Sequence, residues 1–230
     1  MAKLYTGING KARQVKDIYV GIPTVSLTNM LPAVNGIDGW EAYSDDYGTS
    51  LPPVASSTHT KYNASCMRLQ GESGKAETTA RTVNTVYLNP SHIYYARVEG
   101  YVESKIGKIA IYWPIAHPPM VYNVYLQAGK WTMCSARTNR SQFSAGNYPL
   151  RIDFDNENAA GYVWYDGMML IDLTAAFGAG REPTKEWCDS LPYFSGTRQF
   201  EHSSAPSVAR KVRKAYIGVN GVARLFFESE

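Results

Sequence analysis

Cysteine is scarce and poorly placed for cross-linking. The chain holds 3, at Cys66, Cys134 and Cys188; the number is odd, no two are close, and no C-x-x-C pair occurs. A disulfide framework is therefore not expected, and no zinc spacing is visible. The 4 histidines, His59, His92, His117 and His202, are scattered too. No run of about 18 apolar residues exists, so no membrane insertion is expected. Met1-Ala2-Lys3-Leu4-Tyr5-Thr6-Gly7 lacks the apolar stretch of a secretory signal, so no signal peptide is expected. Charge is sparse, at 19% of residues with a net of +3, too small an excess to suggest a nucleic-acid partner. G-x-S-x-G, H-E-x-x-H and G-x-x-x-x-G-K-[ST] are all missing, so no catalytic residue is assigned and a non-enzymatic protein is expected.

Apolar and aromatic residues are plentiful. At 44% hydrophobic, the chain as a whole is not disordered. Its 17 Tyr, 7 Phe and 5 Trp, with 19 Gly and 12 Pro, favour strands and turns over helices. A length of 230 residues allows one large domain, or one domain with small extras. The basic residues gather at the ends: residues 1–22 hold four against one acid, and residues 207–230 hold five against two. Lysine and arginine on strand edges discourage aggregation.

The two ends repeat one another. Tyr5-Thr6-Gly7-Ile8-Asn9-Gly10-Lys11-Ala12-Arg13 matches Tyr216-Ile217-Gly218-Val219-Asn220-Gly221-Val222-Ala223-Arg224. A second alignment matches residues 12–22 with residues 209–219. Both agree on one period, the 14 residues that separate Tyr5 from Tyr19 and Arg210 from Arg224, and internal repeats of this kind weigh early in a fold assignment. Asn-Gly is the preferred type I′ pair, so each complete unit is a hairpin. The middle copy is broken: Tyr19-Val20-Gly21-Ile22 has no Asn-Gly after it, and its second half reappears at Val208-Ala209-Arg210-Lys211-Val212. Loop tips tolerate insertion, so the turn of the middle hairpin is read as replaced by a domain. The register of the intact unit then predicts Gly21 opposite Ala209, Ile22 near Val208 and Tyr19 near Lys211.

Residues 24–206 read as about eight short strands with turns between them: 61–69, 78–88, 93–103, 108–113, 121–126, 131–137, 150–155 and 162–173. Such spacing suits a sandwich or barrel, and eight strands suit a jelly roll. One short helix is expected over Pro183–Ser190, with Pro183 in its first turn. The fold class is all-β: a jelly-roll β-sandwich (24–206) inserted into a small β-hairpin strip formed by both termini (1–22 plus 207–230).

The run from Tyr165 to Thr184, Tyr-Asp-Gly-Met-Met-Leu-Ile-Asp-Leu-Thr-Ala-Ala-Phe-Gly-Ala-Gly-Arg-Glu-Pro-Thr, followed by Trp187-Cys188-Asp189, resembles the end of a jelly-roll module of tail proteins in phages and prophages of Gram-positive bacteria. That module is similar to carbohydrate-binding modules. Asp38-Gly39-Trp40 and Tyr62–Leu69 resemble its opening strands, and the Tyr-x-Gly-[Ile/Val]-Asn-Gly-x-Ala-Arg units resemble repeats of such phage structural proteins. The resemblance implies a virion protein of tail or fibre type, with other virion proteins, copies of itself and host-surface carbohydrate as partners. It equally implies a purely structural decoration or assembly protein of head or tail.

Sugar recognition needs exposed aromatic faces with polar partners around them. The candidates are Trp40, Trp113, Tyr122, Tyr125 and Trp131; Trp113, Tyr122 and Trp131 are the chosen three, lying beside strand ends or outside strict core alternation. Asp153-Phe154-Asp155-Asn156-Glu157-Asn158 is rich in oxygen, which makes Asp153 and Asp155 candidate calcium ligands, although the run lacks the glycine of a helix–loop calcium site. No other cofactor is expected. Asp153 with Asp155, and Asp166 with Asp172, are the carboxylate pairs that a glycosidase would need, weighed against solvent-facing strand carboxylates.

Overall fold

The computed structural model describes residues 5–8, 11–14, 18–32, 37–44, 51–104, 107–115, 118–202, 207–212, 214–219 and 222–228, with side chains described only between 24 and 202. The strands begin with β1 (Tyr5–Ile8), β2 (Lys11–Gln14), β3 (Ile18–Thr28), β4 (Trp40–Tyr43), β5 (Val54–Ser56), β6 (Cys66–Gly71), β7 (Glu77–Thr82) and β8 (Val86–Leu88). They continue with β9 (Ile93–Tyr101), β10 (Lys108–Tyr112), β11 (Val121–Tyr125), β12 (Thr132–Asn139), β13 (Gly146–Tyr148), β14 (Arg151–Asp155) and β15 (Gly161–Asp172). The last are β16 (Thr197–Glu201), β17 (Ser207–Val212), β18 (Lys214–Val219) and β19 (Val222–Glu228). Two compact units result, residues 1–25 with 201–230, and residues 26–200.

In the first unit, β1 pairs with β2 and β18 with β19, both antiparallel. Val219 faces Val222 and Gly218 faces Ala223, the register of a two-residue turn; the Asn9-Gly10 and Asn220-Gly221 turn pairs lie outside the described residues. The broken middle copy is closed by β3 and β17, with Gly21 opposite Ala209, Ile22 opposite Val208 and Tyr19 opposite Lys211. This is the register that the 14-residue repeat predicts, so a hairpin ladder is completed by strands far apart in sequence.

The second unit is a jelly-roll β-sandwich of two five-stranded sheets. The first has the order β11-β10-β14-β7-β4 and the second β12-β9-β15-β6-β5. All ladder pairings are antiparallel. Alternation along each strand sends one set of side chains inward. Ile109, Ile111, Ile152 and Phe154 of the first sheet meet Met67, Leu69, Tyr94, Ala96, Val98, Val163, Tyr165 and Leu170 of the second in one core. In the second sheet, β9 and β15 are buried along both faces, because loops and helices cover much of its outer side.

Several segments depart from the sequence reading. The strand expected over 61–69 begins only at Cys66, because the backbone N–H groups of Lys61 and Tyr62 donate to Asp166 Oδ2 (2.8 and 2.9 Å) instead of to a neighbouring strand. The segment 78–88 is two strands that pair in different sheets, β7 with β14 and β8 with β13. The helix expected from Pro183 is α2 (Lys185–Ser190). Its N-cap is Thr184, whose Oγ1 accepts from Trp187 N at 3.3 Å, so Pro183 lies before the cap. A further helix, α1 (Leu173–Phe177), is capped by Asp172, which accepts from Ala175 N at 2.8 Å. A side-chain oxygen at this position satisfies one of the free N–H groups of the first turn.

Candidate functional site

The outer face of the first sheet is built by alternation and register. Tyr112 lies opposite Arg151, which lies opposite Arg81; Ala110 opposite Asp153, which faces Thr79; Lys108 opposite Asp155, which faces Glu77. The Arg151 guanidinium lies between two tyrosine rings, 5.2 Å from the centroid of Tyr43 and 4.8 Å from that of Tyr112. It donates to Asp153 Oδ2 at 2.7 Å and to Glu77 Oε1 at 2.8 Å. Such a stack combines a cation over aromatic faces with charge-assisted hydrogen bonds, and it fixes the middle of the face. Burial pushes the Tyr112 phenol above its ordinary range, and the charge of Asp153 adds to the effect.

The rim of this face is open. β11 is an edge strand with a bulge, where Asn123 has a φ of 57°. Val121 pairs with Ile111 and Val124 with Ile109, so Tyr122 and Asn123 together stand opposite the single Ala110. A bulge of this kind re-aims side chains. Val121 and Val124 keep contact with the core, while Tyr122 and Tyr125 are each 59% exposed. A groove over Ala110 is lined by Tyr122, Asn123, Lys108, Glu77, Asp153 and Asp155. Lys108 lies 3.4 Å from Asp155, 3.6 Å from Glu157 and 5.2 Å from the Tyr125 centroid. The charge of Asp155 holds its ammonium above the ordinary value.

The three chosen aromatics do not form one site. Tyr122 stands on this open rim. Trp113 is 0% exposed and belongs to the core, with its ring edge-on to Tyr94 at 4.8 Å and its Nε1–H donating to Tyr148 O at 3.2 Å. It continues the alternation of Ile109 and Ile111, so it points inward and is unavailable to a ligand. Trp131 precedes β12 on the other sheet and packs half-buried on Tyr101, 5.5 Å between centroids. Trp40 is also buried in the core, and Tyr125 joins Tyr122 on the rim.

Asp153 and Asp155 do share the outer face, but they do not fit a calcium ion. Asp153 is buried and both its oxygens accept from Arg151, while Asp155 is paired with Lys108. Among the described residues no group of three or more His, Cys, Asp or Glu is placed to hold a metal. Asp166 and Asp172 are likewise engaged and not solvent-facing as a pair. Asp166 is fully buried and accepts from Lys61 N, Tyr62 N, Asn63 Nδ2 and Gly167 N. Asp172 caps α1 and meets His92 Nδ1 at 2.7 Å.

The outer face of the second sheet is mostly covered. At one end Asp189 of α2 accepts from Tyr95 OH (2.9 Å), Ser135 Oγ (2.7 Å) and Lys185 Nζ (2.6 Å). Burial works to raise its carboxyl, but these hydrogen bonds prevail and hold it below the ordinary range. In the middle, buried Glu99 accepts from Lys61 and Tyr62, which ties the segment 57–65 over the sheet. The remaining end bears an aromatic row, with Tyr101 opposite Trp164 in the ladder.

No family model and no curated protein matches the chain. Solved structures do. The CBM22-1–GH10 modules of Clostridium thermocellum endo-1,4-β-D-xylanase 10B, complexed with xylohexaose, match at 16% identity over 63% of this chain and 28% of that one, with a TM-score of 0.46. A family 16 carbohydrate-binding module matches at 19% identity over 60% of this chain and 94% of that one, TM-score 0.41. The enzymatically active domain of bacteriophage CBA120 tailspike protein 4 matches at 10% identity over 62% and 21%, TM-score 0.40. This chain thus spans little more than a quarter of the xylanase chain it matches.

The sequence reading missed Arg151, Tyr112 and Ala110. Tyr112 and Ala110 alternate with the core residues Ile109 and Ile111, and Arg151 alternates with Ile152, so period two marked all three as outward-facing. Which strands stand side by side was the missing information.

Proposed function

We propose that the jelly-roll unit is a non-catalytic glycan-binding module and that the chain is a phage virion component of tail or fibre type. The observation that carries the binding reading is the rim at Tyr122 and Tyr125. The exposed Tyr122 ring borders a groove floored by Ala110 and walled by Lys108, Glu77, Asp153 and Asp155, and the equally exposed Tyr125 ring stands beside Lys108. Rings of this kind take the apolar C–H face of a sugar, and the ionic groups bond its hydroxyls. The carboxylates here are ion-paired, which suits hydrogen bonding to a neutral ligand better than acid–base work. One such site is weak, and many copies on one particle supply avidity.

The virion reading rests on the resemblance of residues 165–184 and of the hairpin repeats to phage structural proteins. In it, the chain is made in the host cytoplasm, the repeat strip serves contacts with copies of itself or with other virion proteins, and the host-surface glycan is the external partner. A glycan array probed with the full chain tests the binding reading. Capture of at least one glycan class is expected, lost in Tyr122→Ala and in Ala110→Trp, which fills the groove. An array blank for the full chain, including chain multimerised on beads, would overturn it and leave the purely structural virion role. Labelling of purified particles with an antibody to the chain tests the localisation.

A further inference from the structure

We infer that the second sheet carries its own subsite for a neutral sugar ring, in a cleft between Tyr162 and Glu103 at the uncovered end of its outer face. The inference goes beyond the reading above, since the two faces share no residue.

Trp164, which lines the cleft, is set in place by the ladder. Trp164 lies opposite Tyr101 on one side and Arg68 on the other. Thr132 lies opposite Gly100, which places Trp131 beside Tyr101. The result is a row across the sheet, with ring centroids 5.5 Å apart for Tyr101–Trp131 and 6.0 Å for Tyr101–Trp164. The row is held rigidly. Trp164 is only 3% exposed, its Nε1–H donates to Ser56 Oγ at 3.1 Å, and His59 stands edge-on to it at 4.6 Å. His59 in turn lies 2.9 Å from Glu103 Oε1 and 4.3 Å from the Tyr101 ring. A cleft wall fixed before binding lowers the entropy lost on association.

Beside Trp164 stands Tyr162, 41% exposed, with the Arg68 guanidinium 4.7 Å from its centroid. Between Tyr162, Trp164 and Glu103 lies a cavity of about 280 Å³, completed by Ser104, Ala160 and Gly161. This is just under the roughly 300–1,000 Å³ range of small-molecule pockets, so it suits one ring and not an extended ligand. Ala160, which lines the cleft, is exposed and two residues before Tyr162, so a larger side chain there reaches the same side as the tyrosine ring. The lining selects the ligand by charge. Glu103 disfavours an anion, Arg68 beside the tyrosine disfavours an ammonium, and a neutral polyhydroxyl ring satisfies both. Its C–H face stacks on Tyr162, while its hydroxyls donate to the Glu103 carboxylate and exchange hydrogen bonds with Ser104.

The test is a nuclear magnetic resonance titration of the full chain with xylohexaose, cellohexaose and chitohexaose, following the indole N–H signal of Trp164 and the amides of Gly161 and Tyr162. At least one of the three is expected to shift these signals in a saturable way, with a dissociation constant on the order of 1 mM. Ala160→Trp fills the cleft from an exposed lining position, and it is expected to weaken that response about tenfold or more while leaving the thermal midpoint in place. Tyr162→Ala is expected to weaken it similarly, and Tyr122→Ala to leave it unchanged. Silence of these signals with all three sugars, alongside shifts at the Asn123 and Tyr125 amides, overturns the subsite and spares the first face. Silence at both faces removes both. Shifts that persist in Ala160→Trp place the sugar elsewhere and overturn the inference.

Discussion

Trp113→Ala and Tyr122→Ala separate a core aromatic from a surface one on the same sheet. Trp113 is 0% exposed, contacts Tyr94 edge-on at 4.8 Å and donates from Nε1 to Tyr148 O at 3.2 Å. Truncating a buried tryptophan costs about 3–5 kcal/mol through lost transfer energy and the cavity left behind. The lost hydrogen bond adds about 1 kcal/mol, since the Tyr148 carbonyl is left short of a donor. In a unit of this size each kcal/mol moves the thermal midpoint by about 2–4 °C, so Trp113→Ala is expected to lower it by roughly 8–24 °C. Trp113→Phe, which keeps most of the packing, should fall well short of that. Tyr122 is 59% exposed, and surface changes usually stay within about 0.5 kcal/mol, a shift of no more than about 2 °C. Scanning calorimetry of the sandwich transition gives all three midpoints. Equal shifts for Trp113→Ala and Tyr122→Ala would refute the inward placement of Trp113.

The remaining expectations concern the covered face and the thiols. Asp189 is held below its ordinary value of 3.8 by hydrogen bonds from Lys185, Ser135 and Tyr95, against the effect of burial. A depressed carboxyl adds stability above the unfolded value and loses it as pH falls through the folded one, so the gap in melting midpoint between wild type and Asp189→Asn should close below about pH 4. A gap that stays constant down to pH 2.5 would count against this. Gly167 has a φ of +63° and a Cβ there would lie 2.6 Å from the Tyr62 ring; Gly167→Ala is expected to cost about 1–3 kcal/mol in urea unfolding and to expose 57–65 to protease. Cys66, Cys134 and Cys188 are all buried, and burial pushes each thiol up to about 12. Iodoacetamide should leave the native chain unlabelled over an hour and modify 3 sites per chain once it is unfolded, as read by mass spectrometry.

Local chemistry determined a good deal of this protein from sequence alone. The repeat set the pairing of Gly21 with Ala209, because the 14-residue period carries the register of an intact hairpin into a broken one. Period-two alternation located the main sandwich strands, since a strand half-buried on one face must alternate. The same alternation places Trp113 with Ile109 and Ile111, and position beside a strand end does not turn a ring outward. Other features depend on partners distant in sequence. Asp166 turns the segment from Lys61 to Asn63 into a clamp across more than 100 residues of separation, and no local propensity encodes that. The groove over Ala110 and the row from Trp131 to Arg68 exist only because separate strands lie side by side in register. Alternation tells whether a side chain faces inward or outward along its own strand. It does not tell which sheet the strand joins, so Tyr122 and Trp131, alike in sequence as aromatics beside a turn, came to stand on opposite faces once the tertiary structure assigned β11 and β12 to different sheets.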